Sequence, residues 1–346
     1  MKILVTGHRG YIGAVMIPML LQEGHAVWGL DCDWFEHSTF GGPPIEIPSK
    51  KKDLRDVEPS DLEGFDAVIH LAALSNDPLG DLNPGLTYEI NHIASVRLAK
   101  LAKDSGVKRF LFSSSCSTYG AGGGDALLTE EAELRPVTPY GISKVLVERD
   151  LLKLADSSFS PVFLRNATAY GVSPRLRFDL VLNNLVAWAY ATGRIYIKSD
   201  GTPWRPIVHI EDISRAFIAA LAAPASLISG EAFNIGSTEE NYQIRNLAQI
   251  VSEVVPGCHI EYAKDGGPDA RCYRVDFSKV AQVLPGFQPK WNARAGATEL
   301  YEAIQRVGLR LEDFEGPRYK RISHIQQLIS TGSLDSTLRW CVSAGN

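Results

Sequence analysis

The sequence is poor in cysteine, has no long apolar run and carries no excess of basic residues. Its five cysteines (Cys32, Cys116, Cys258, Cys272 and Cys341) are scattered and lack the spacing of metal ligands. We therefore predict no metal site, and reduced thiols as in a cytoplasm. No uninterrupted apolar stretch reaches the roughly 20 residues of a membrane-spanning helix, which predicts no membrane span. The net charge of −5 argues against binding to nucleic acids or anionic membranes.

The order of apolar runs predicts an α/β protein built on a doubly wound parallel sheet, followed by a smaller C-terminal lobe. Near-continuous apolar runs at 67–71, 109–112 and 161–164 alternate with helical patterns at 88–103 and 140–154. Such runs, separated by helical crossovers, are typical of parallel strands that are covered on both faces. Because ligands bind at the carboxyl ends of strands in such sheets, the chemistry is expected just after these runs.

The stretch TGHRGYIG at 6–13 directly follows the first apolar run. Gly7, Gly10 and Gly13 would let the backbone turn tightly, approach a pyrophosphate closely and pack the next helix onto the strand. The N-terminus of that helix would direct unpaired N–H groups at an anion. A second apolar run, 26–30, ends in Asp31, at a suitable distance for a carboxylate that binds the adenosine ribose. The pattern predicts a dinucleotide site, with an ordinary glycine-rich turn as the alternative.

After residue 172 the alternation of strands and helices becomes irregular. We predict a dinucleotide-binding Rossmann domain at 1–172, to which 209–236 returns, and a substrate-binding lobe at 173–208 and 237–309. The stretch 310–346 is predicted to be a helical tail, in which a basic cluster precedes apolar residues at helical spacing. For this tail the pattern favours a solvated or packing helix over a binding site.

Candidate catalytic residues follow the run at 109–112. Ser115 lies in SSSCSTYG, and YGISK at 140–144 places Tyr140 and Lys144 four residues apart, on one face of a helix. A phenol titrates near pH 10, but a neighbouring ammonium favours the phenolate. Such a tyrosine could take a proton from a sugar hydroxyl that a serine also contacts. A solvated helix face is the alternative for an isolated pair, and the glycine loop upstream argues against it.

These motifs, in this order, resemble those of the extended short-chain dehydrogenase/reductases, which include NAD-dependent nucleotide-sugar epimerases and dehydratases. The resemblance runs from residue 1 to about 305. Its motifs are TGHRGYIG, Asp31, DLRD at 53–56, HLAAL at 70–74, Asn91, SSSCSTYG at 113–120, YGISK, LRNATAYG at 164–171 and RPIVHIEDISRA at 205–216. The resemblance implies a Rossmann fold, NAD chemistry and a nucleotide-sugar substrate.

The resemblance also implies roles for individual residues. Ser115, Tyr140 and Lys144 would be catalytic, Asp31 would bind the adenosine ribose, and Asp53 would contact the adenine. The residues implied for the cofactor are Gly7, Arg9, Gly10, Tyr11, Ile12, Gly13, Asp31, Asp53, Leu54, Leu71, Ala72, Ala73, Asn91, Ser113, Tyr140 and Lys144. Those implied for the nucleotide sugar are Ser75, Asn76, Ser115, Ser117, Thr168, Asn183, Arg205 and Arg271, and Arg205 would reach the phosphates or ribose of its nucleotide.

Dehydration is not expected, because the residues after the catalytic serine differ from those of the 4,6-dehydratases. Those enzymes carry Asp-Glu there as acid and base, whereas this sequence has Cys116 and Ser117. The related decarboxylases keep a glutamate at the second position, which Ser117 also lacks. Keto-sugar 3,5-epimerase/reductases carry a cysteine base where Ser117 stands. Since Cys116 would point away from that position in an extended segment, a buried structural role is favoured for its thiol.

Two further departures concern the substrate. Thr168 stands where the family usually has asparagine, which puts one substrate contact in doubt. In UDP-galactose 4-epimerases an arginine lies three residues before an acid equivalent to Asp269, and Gly266 occupies that position here. Arg271 is an alternative for this role. The nucleotide of the substrate could therefore differ from UDP.

The loop and the second strand give conflicting indications about the cofactor. GHRG is similar to the loop of NADP-dependent GDP-fucose synthases, in which the arginine, here Arg9, meets the 2′-phosphate. Asp31 would repel that phosphate and pair with free ribose hydroxyls. A fixed carboxylate beside a dianionic phosphate should outweigh one flexible arginine, so we predict NAD.

The sequence thus predicts an NAD-dependent nucleotide-sugar epimerase that inverts C4 through a transient 4-keto sugar. The same three catalytic residues would serve an NAD(P)H-dependent 4-keto-sugar reductase, which is the alternative enzyme. A non-catalytic NAD(P)-binding regulator is a third possibility, and the intact catalytic set argues against it. We expect a cytoplasmic homodimer, because the helices at 88–103 and 140–154 resemble the pair through which this family dimerises.

Overall fold

The computed structural model describes residues 1–75, 77–120, 126–263, 272–284 and 286–341. Its strands are β1 Lys2–Thr6, β2 Ala26–Asp31, β3 Ser49–Lys51, β4 Ala67–His70, β5 Arg109–Ser115, β6 Leu127–Leu128, β7 Ser160–Asn166, β8 Thr168–Tyr170, β9 Arg194–Ile197, β10 Trp204–His209, β11 Ala232–Ile235, β12 Asn241–Gln243, β13 His259–Tyr262 and β14 Arg274–Val275. Its α-helices are α1 Gly13–Gln22, α2 Asp77–Leu82, α3 Pro84–Thr87, α4 Ala94–Asp104, α5 Pro139–Leu152, α6 Val181–Thr192, α7 Ile210–Ala222, α8 Ala225–Ile228, α9 Ile244–Val254, α10 Ser278–Val283, α11 Ala293–Val307, α12 Leu311–Glu315 and α13 Arg321–Ser330.

Seven parallel strands form the central sheet, in the order β11-β7-β5-β4-β1-β2-β3. One face packs against α1 and α7 and buries Met16 and Phe217. The other face packs against α4 and α5 and buries Leu98 and Phe110. Burial on both faces explains the near-continuous apolar strands. The predicted doubly wound α/β fold is confirmed.

A second region packs beside the carboxyl edge of this sheet. It contains the small sheets β12-β10-β8 and β13-β9 together with α6, α9 and α11. Its own apolar core joins these helices through Leu185, Leu247 and Leu300, all of which are buried. The chain enters this region directly after β7, as strand β8, which pairs in parallel with β10. The edge of the central sheet therefore faces a second wall, and a ligand can lie between them.

The helical stretch predicted at 88–103 is confirmed, and its first part is a π-helix rather than an α-helix. Residues Tyr88–Ile93 form a π turn, and the α-helix α4 begins at Ala94. The Asn91 side chain within this turn binds both the N–H and the C=O of Leu74, at 2.8 and 3.1 Å. A π turn inserts one residue into the helical ladder, and here it directs Asn91 at the loop after β4.

The C-terminal tail packs against the first half of the chain. Phe314 in α12 and Tyr319 contact Phe178 edge-on, and Ile325 in α13 is fully buried in a cluster with Trp34. These contacts bury part of the tail against the rest of the protein. Within the described ranges, no helix combines the length and apolarity needed to cross a membrane. Those residues also hold no group of three potential metal ligands.

Candidate active site

A cavity of about 620 Å³ lies at the carboxyl edge of the central sheet. The loops after β1, β2, β4 and β5 form one wall, and β8, β10 and the start of α6 form the other. The predicted site residues that line it are Gly7, Gly10, Tyr11, Ile12, Gly13, Asp31, Asp53, Leu54, Leu71, Ala72, Ala73, Ser75, Ser113, Ser115, Ser117, Tyr140, Lys144, Thr168 and Arg205. The structure therefore brings together most of the residues that the sequence singled out.

The glycine loop between β1 and α1 forms a cradle that side chains would fill. Gly7 has a φ of +73°, and a Cβ there would lie 2.7 Å from the backbone nitrogen of Ala72. A Cβ at Gly13 would lie 2.5 Å from the carbonyl oxygen of His8. Only glycine gives this turn and this close packing of helix on strand. The loop can thus present backbone N–H groups and the N-terminus of α1 to a pyrophosphate.

Asp31 lies at the end of β2, and backbone hydrogen bonds hold its carboxylate in place. Its Oδ2 accepts from the N–H of Arg9 at 3.0 Å, and its Oδ1 accepts from the N–H of Asp33 at 2.9 Å. The Arg9 guanidinium pairs with Asp33 at 2.6 Å and with Glu46 at 2.7 Å, and it does not line the cavity. A 2′-phosphate here would meet three carboxylates and an arginine that is already paired. This end of the cavity fits free ribose hydroxyls.

Asp53 caps the short turn Leu54–Asp56 and lines the same end of the cavity. Its Oδ1 accepts from the N–H of Arg55 at 2.8 Å, and its Oδ2 accepts from the Arg55 guanidinium at 2.7 Å. Burial alone would raise the pKa of Asp53, but these bonds and the Arg55 charge outweigh burial and lower it. Asp53 is therefore an ionised hydrogen-bond acceptor next to the ribose position.

Ser115, Tyr140 and Lys144 lie at the opposite end of the cavity. The Lys144 ammonium donates to the Ser113 carbonyl at 2.7 Å and lies 5.6 Å from the centre of the Tyr140 ring. Burial lowers the pKa of Lys144 to about 7, while the charge of Glu148 opposes that shift. An adjacent phenolate would stabilise the charged form of this buried ammonium, and the ammonium would stabilise the phenolate in return. The arrangement suits proton transfer at Tyr140.

A buried ion pair supports this end of the site from behind. Glu148, one helical turn after Lys144, accepts from the Arg165 guanidinium at 2.7 Å, and both residues are less than a tenth exposed. Ser114, next to Ser115, donates to the same carboxylate. Burial alone would lower the pKa of Arg165, but the bonds and charge of Glu148 raise it. The pair ties α5 to β5 and β7, and so sets the spacing of Tyr140 and Ser115.

Besides Nε1 of Trp34, two buried polar atoms of residues that line the cavity have no hydrogen-bond partner within the described part of the chain. They are Oδ1 of Asn166, at the end of β7, and Oγ of Ser117. The amide nitrogen of Asn166 donates to Ser113 at 3.1 Å, which fixes the orientation of its oxygen. Because buried polar groups are rarely left unmatched, both atoms are expected to contact a bound ligand.

Three predicted contact residues do not line the cavity, and two others lie outside the described residues. Besides Arg9, Asn91 is buried and bonds to Leu74, and Asn183 is buried with its amide bonded to Gly171, Arg177 and Tyr11. Asn91 and Asn183 thus hold loops of the site in position. Asn76 and Arg271 lie among the residues that are not described.

Cys116 occupies a structural position, as predicted. It is 1% exposed, its thiol donates to the Arg165 carbonyl at 3.1 Å, and it does not line the cavity. Burial raises the pKa of this thiol well above its ordinary value. A neutral thiol that faces the sheet can neither act as a base nor replace the aspartate of a dehydratase.

Sequence reasoning missed several residues that line the cavity. Arg177 lies near Tyr140, pairs with Asp179 at 2.8 Å and donates to Ser75 at 3.1 Å. Arg321 reaches the cavity from α13. Arg177 and Asp179 belong to the stretch PRLRFD at 174–179, which follows shortly after a strand, and this position could have identified them. Nothing local distinguishes Arg321 from the other basic residues of the tail.

The residues of this cavity fit NAD. The glycine loop and the N-terminus of α1 fit a pyrophosphate, and Asp31 and Asp53 fit an adenosine. The buried Asn166 and Ser117 oxygens without a hydrogen-bond partner in the described chain lie at the end with Ser115 and Tyr140. The opposite wall carries Thr168 on β8 and Arg205 on the neighbouring strand β10.

Comparisons with known proteins agree with this geometry. Residues 3–236 match the family model described as the NAD-dependent epimerase/dehydratase family. The UDP-glucose 4-epimerase of Lactobacillus helveticus is 29% identical over 84% of this chain and 92% of that protein.

Solved structures of epimerases also share the fold. The UDP-glucose 4-epimerase of Thermotoga maritima with UDP-glucose superposes with a TM-score of 0.77 at 25% identity, over 89% of this chain and 100% of that one. The UDP-glucuronic acid 4-epimerase of Bacillus cereus, in complex with UDP-glucuronic acid and NAD, gives 0.74 at 26% identity, over 88% and 99%. The chain belongs to the NAD-dependent epimerase/dehydratase family, and NAD is its cofactor.

Proposed function

We propose that this protein is an NAD-dependent nucleotide-sugar epimerase that inverts C4 of its sugar. The observation that carries this proposal is one cavity that joins an NAD site to Ser115, Tyr140 and Lys144, and in whose described wall the carboxylate toward Tyr140, Asp179, is ion-paired with Arg177. Relatives that act on UDP-glucose and UDP-glucuronic acid support a UDP-hexose or UDP-hexuronic acid as substrate.

The catalytic residues divide the proton chemistry among them. Tyr140, as phenolate, accepts the proton of the sugar 4-hydroxyl, and Ser115 donates a hydrogen bond to the same oxygen. Lys144 favours the phenolate and binds the nicotinamide ribose. When bound, NAD⁺ supplies the acceptor for hydride from C4 and later the donor to the opposite face of the 4-keto sugar. Tyr140 then returns the proton to the 4-oxygen.

The carboxylates of the described cavity wall support this reaction over elimination of water. Asp31 and Asp53 lie at the adenosine end, and Asp179 forms a two-point ion pair with Arg177. Ser117 and the buried Cys116 occupy the positions of the dehydratase acid pair. Elimination requires an acid and a base beyond the tyrosine, whereas C4 inversion requires one group that moves one proton.

Incubation of the purified protein with UDP-glucose and, separately, with UDP-glucuronic acid tests the proposal. We expect NMR to show conversion to the C4 epimer of at least one substrate, with no change in the absorbance of added NADH and with NAD co-purified. The cofactor is expected to stay bound because epimerisation regenerates it in every cycle. Stoichiometric consumption of NADH or NADPH with a 4-keto sugar, and no inversion of either substrate, would establish the reductase instead.

The cofactor preference is tested at Asp31. We expect the unmodified protein to bind NAD(H) much more tightly than NADP(H), and Asp31→Ala to weaken NAD(H) by about 10- to 100-fold, because hydrogen bonds to a charged group are lost. Titration of both cofactors measures this. Glu133→Ala is the matched control, since Glu133 is an exposed carboxylate that pairs with Arg135 and does not line the cavity. Equal affinities for the two cofactors in the unmodified protein would mean that Arg9 sets the preference.

We further propose a cytoplasmic homodimer that forms through α4 and α5. Ile93, just before α4, is 60% exposed, and Leu152, at the end of α5, is 51% exposed. All five cysteines are unpaired, the state expected in a reducing compartment. Light scattering should give the mass of a dimer, and Ile93→Lys should give monomers, whereas Leu227→Lys, at an exposed apolar residue of α8, should not. A monomeric unmodified protein would contradict this.

A further inference from the structure

The C-terminal tail places one charged side chain in the cofactor cavity. Arg321, the first residue of α13, is only 9% exposed and lines the cavity. Its guanidinium stacks on the Phe35 ring, 3.6 Å from the ring centre. Phe35 follows Asp31 by four residues, so this stacking places the guanidinium beside the loop at the adenosine end.

Within the described residues, the Arg321 guanidinium makes no hydrogen bond and no ion pair, and it stacks on the ring of Phe35. Burial lowers the pKa of Arg321 to about 9, and the like charge of Arg177 adds to that effect. An isolated buried charge is expensive unless it is paired, so a ligand of opposite charge should complete this site.

The surroundings of Arg321 indicate which ligand this is. The charges that act on it include Asp31, at the adenosine end, and Arg177 and Asp179, which lie toward Tyr140. Arg321 therefore lies between the two ends of the cavity. A dinucleotide with its adenosine ribose at Asp31 and its nicotinamide near Tyr140 must run its pyrophosphate through this middle part, across the N-terminus of α1.

We propose that Arg321 binds the pyrophosphate of NAD, and that the C-terminal tail thereby covers the middle part of the cavity. Arginine suits this role because its planar guanidinium can donate two parallel hydrogen bonds to phosphate oxygens. The proposal rests on NAD binding and not on C4 epimerisation, so its failure would leave the proposed function standing. The two nearby carboxylates, Asp31 and Asp179, lie to either side and bind other groups: ribose hydroxyls in the proposed cofactor site, and Arg177.

Contacts elsewhere in the tail hold Arg321 in position. His324 bonds to the carbonyl of Trp34 at 2.7 Å, and the Trp340 indole donates to the carbonyl of Cys32 at 2.6 Å. Both carbonyls lie in the loop that follows Asp31. The tail thus binds the strand end that also binds the ribose, and NAD would be held from both sides.

Arg321→Met tests the proposal, because methionine keeps an apolar contact with Phe35 and removes the charge. The matched control is Arg339→Met, which removes an exposed guanidinium of the same tail that pairs with Asp56. Each full-length protein is purified and dialysed, and the NAD that remains bound is quantified after denaturation. Calorimetry with UDP and thermal melting without added nucleotide are measured on the same samples.

We expect Arg321→Met to lose NAD about 10- to 100-fold faster than the unmodified protein and Arg339→Met, because charge-assisted bonds to phosphate are lost. Its affinity for UDP should stay within about twofold. After loss of NAD it should melt no lower than the unmodified protein without nucleotide, because an unpaired buried charge has been removed. Arg321→Lys, which keeps the charge but not the two-point geometry, should be intermediate.

Three results would overturn the proposal. Unchanged NAD retention would show that the pyrophosphate does not contact Arg321. Loss of UDP affinity with NAD retention intact would assign Arg321 to the diphosphate of the nucleotide sugar. A lower melting temperature without nucleotide, with NAD and UDP affected alike, would assign it a purely structural role. If Arg321→Met does not fold, Arg321→Lys decides, and NAD retention equal to that of the unmodified protein would overturn the proposal.

Discussion

Replacing Tyr140 with phenylalanine is expected to lower the turnover of C4 inversion by about 10²- to 10⁴-fold, the range typical of a lost general base. The phenol oxygen is the group positioned to move the proton of the sugar hydroxyl, since Lys144 already donates to the Ser113 carbonyl. Asp31, Asp53 and the glycine loop, which we propose to bind the adenosine and pyrophosphate of NAD, lie away from the phenol, so NAD content should not change. Turnover is measured by NMR with the substrate that the unmodified protein inverts.

The control for this variant is Tyr190→Phe. Tyr190 lies on α6, packs against Tyr301 and does not line the cavity. The Tyr190→Phe protein should retain the turnover of the unmodified protein within about twofold. Near-normal turnover of Tyr140→Phe would refute the assignment of the base, and equal loss of bound NAD and turnover would instead indicate a role in cofactor binding.

Replacing Glu148 with alanine is expected to destabilise the protein by about 3–5 kcal/mol, the cost of removing one partner of a buried ion pair. Arg165 would keep its bonds to the Tyr119 hydroxyl and the Glu130 carbonyl, but its charge would have no opposite partner. Unfolding in urea, followed by fluorescence and circular dichroism, measures the loss. Because Ser114 donates to Glu148 as well, turnover should also fall where the variant remains folded.

Glu231→Ala provides the comparison for Glu148→Ala. Glu231 pairs with Lys279 at 2.7 Å, but it is about half exposed, so its loss should cost less than about 1 kcal/mol. A second comparison replaces both members of the buried pair, in Glu148→Leu with Arg165→Met. That protein should recover part of the stability, because no buried charge is left unpaired. A Glu148→Ala protein within about 1 kcal/mol of the unmodified one would contradict the assigned role of the pair.

Local sequence patterns were sufficient to predict the parallel strands, the glycine loop and the cofactor. The apolar runs predicted the parallel strands because burial on both faces leaves a signal within each strand. The glycines of the first loop were identifiable because the turn at Gly7 and the packing at Gly13 exclude any Cβ. Tyr140 and Lys144 share a helix face by their spacing alone. Asp31 indicated NAD because it ends a strand next to that loop.

Other features were decided by the tertiary structure, because they depend on residues far apart in the chain. Asn183 bonds to Tyr11, and Asn91 bonds to Leu74, so both hold loops where the family resemblance implied ligand contacts. Arg9 is turned outward by Glu46, a partner that no local motif indicates.

The role of the tail depends most strongly on the fold. Basic residues before an apolar helix usually lie in solvent, and the sequence pattern of the tail predicted a solvated or packing helix without a binding role. Folding buries Ile325 beside Trp34, and this places Arg321 on Phe35, inside the cavity. The periodicity of apolar residues indicates which face of a helix is buried. It does not indicate which part of the protein that face packs against, and here the partner, Phe35, lies almost 300 residues earlier in the chain. The sequence alone therefore determined the parallel strands, the glycine loop and the helix that carries Tyr140 and Lys144, and the tertiary structure decided which charged side chains reach the cavity.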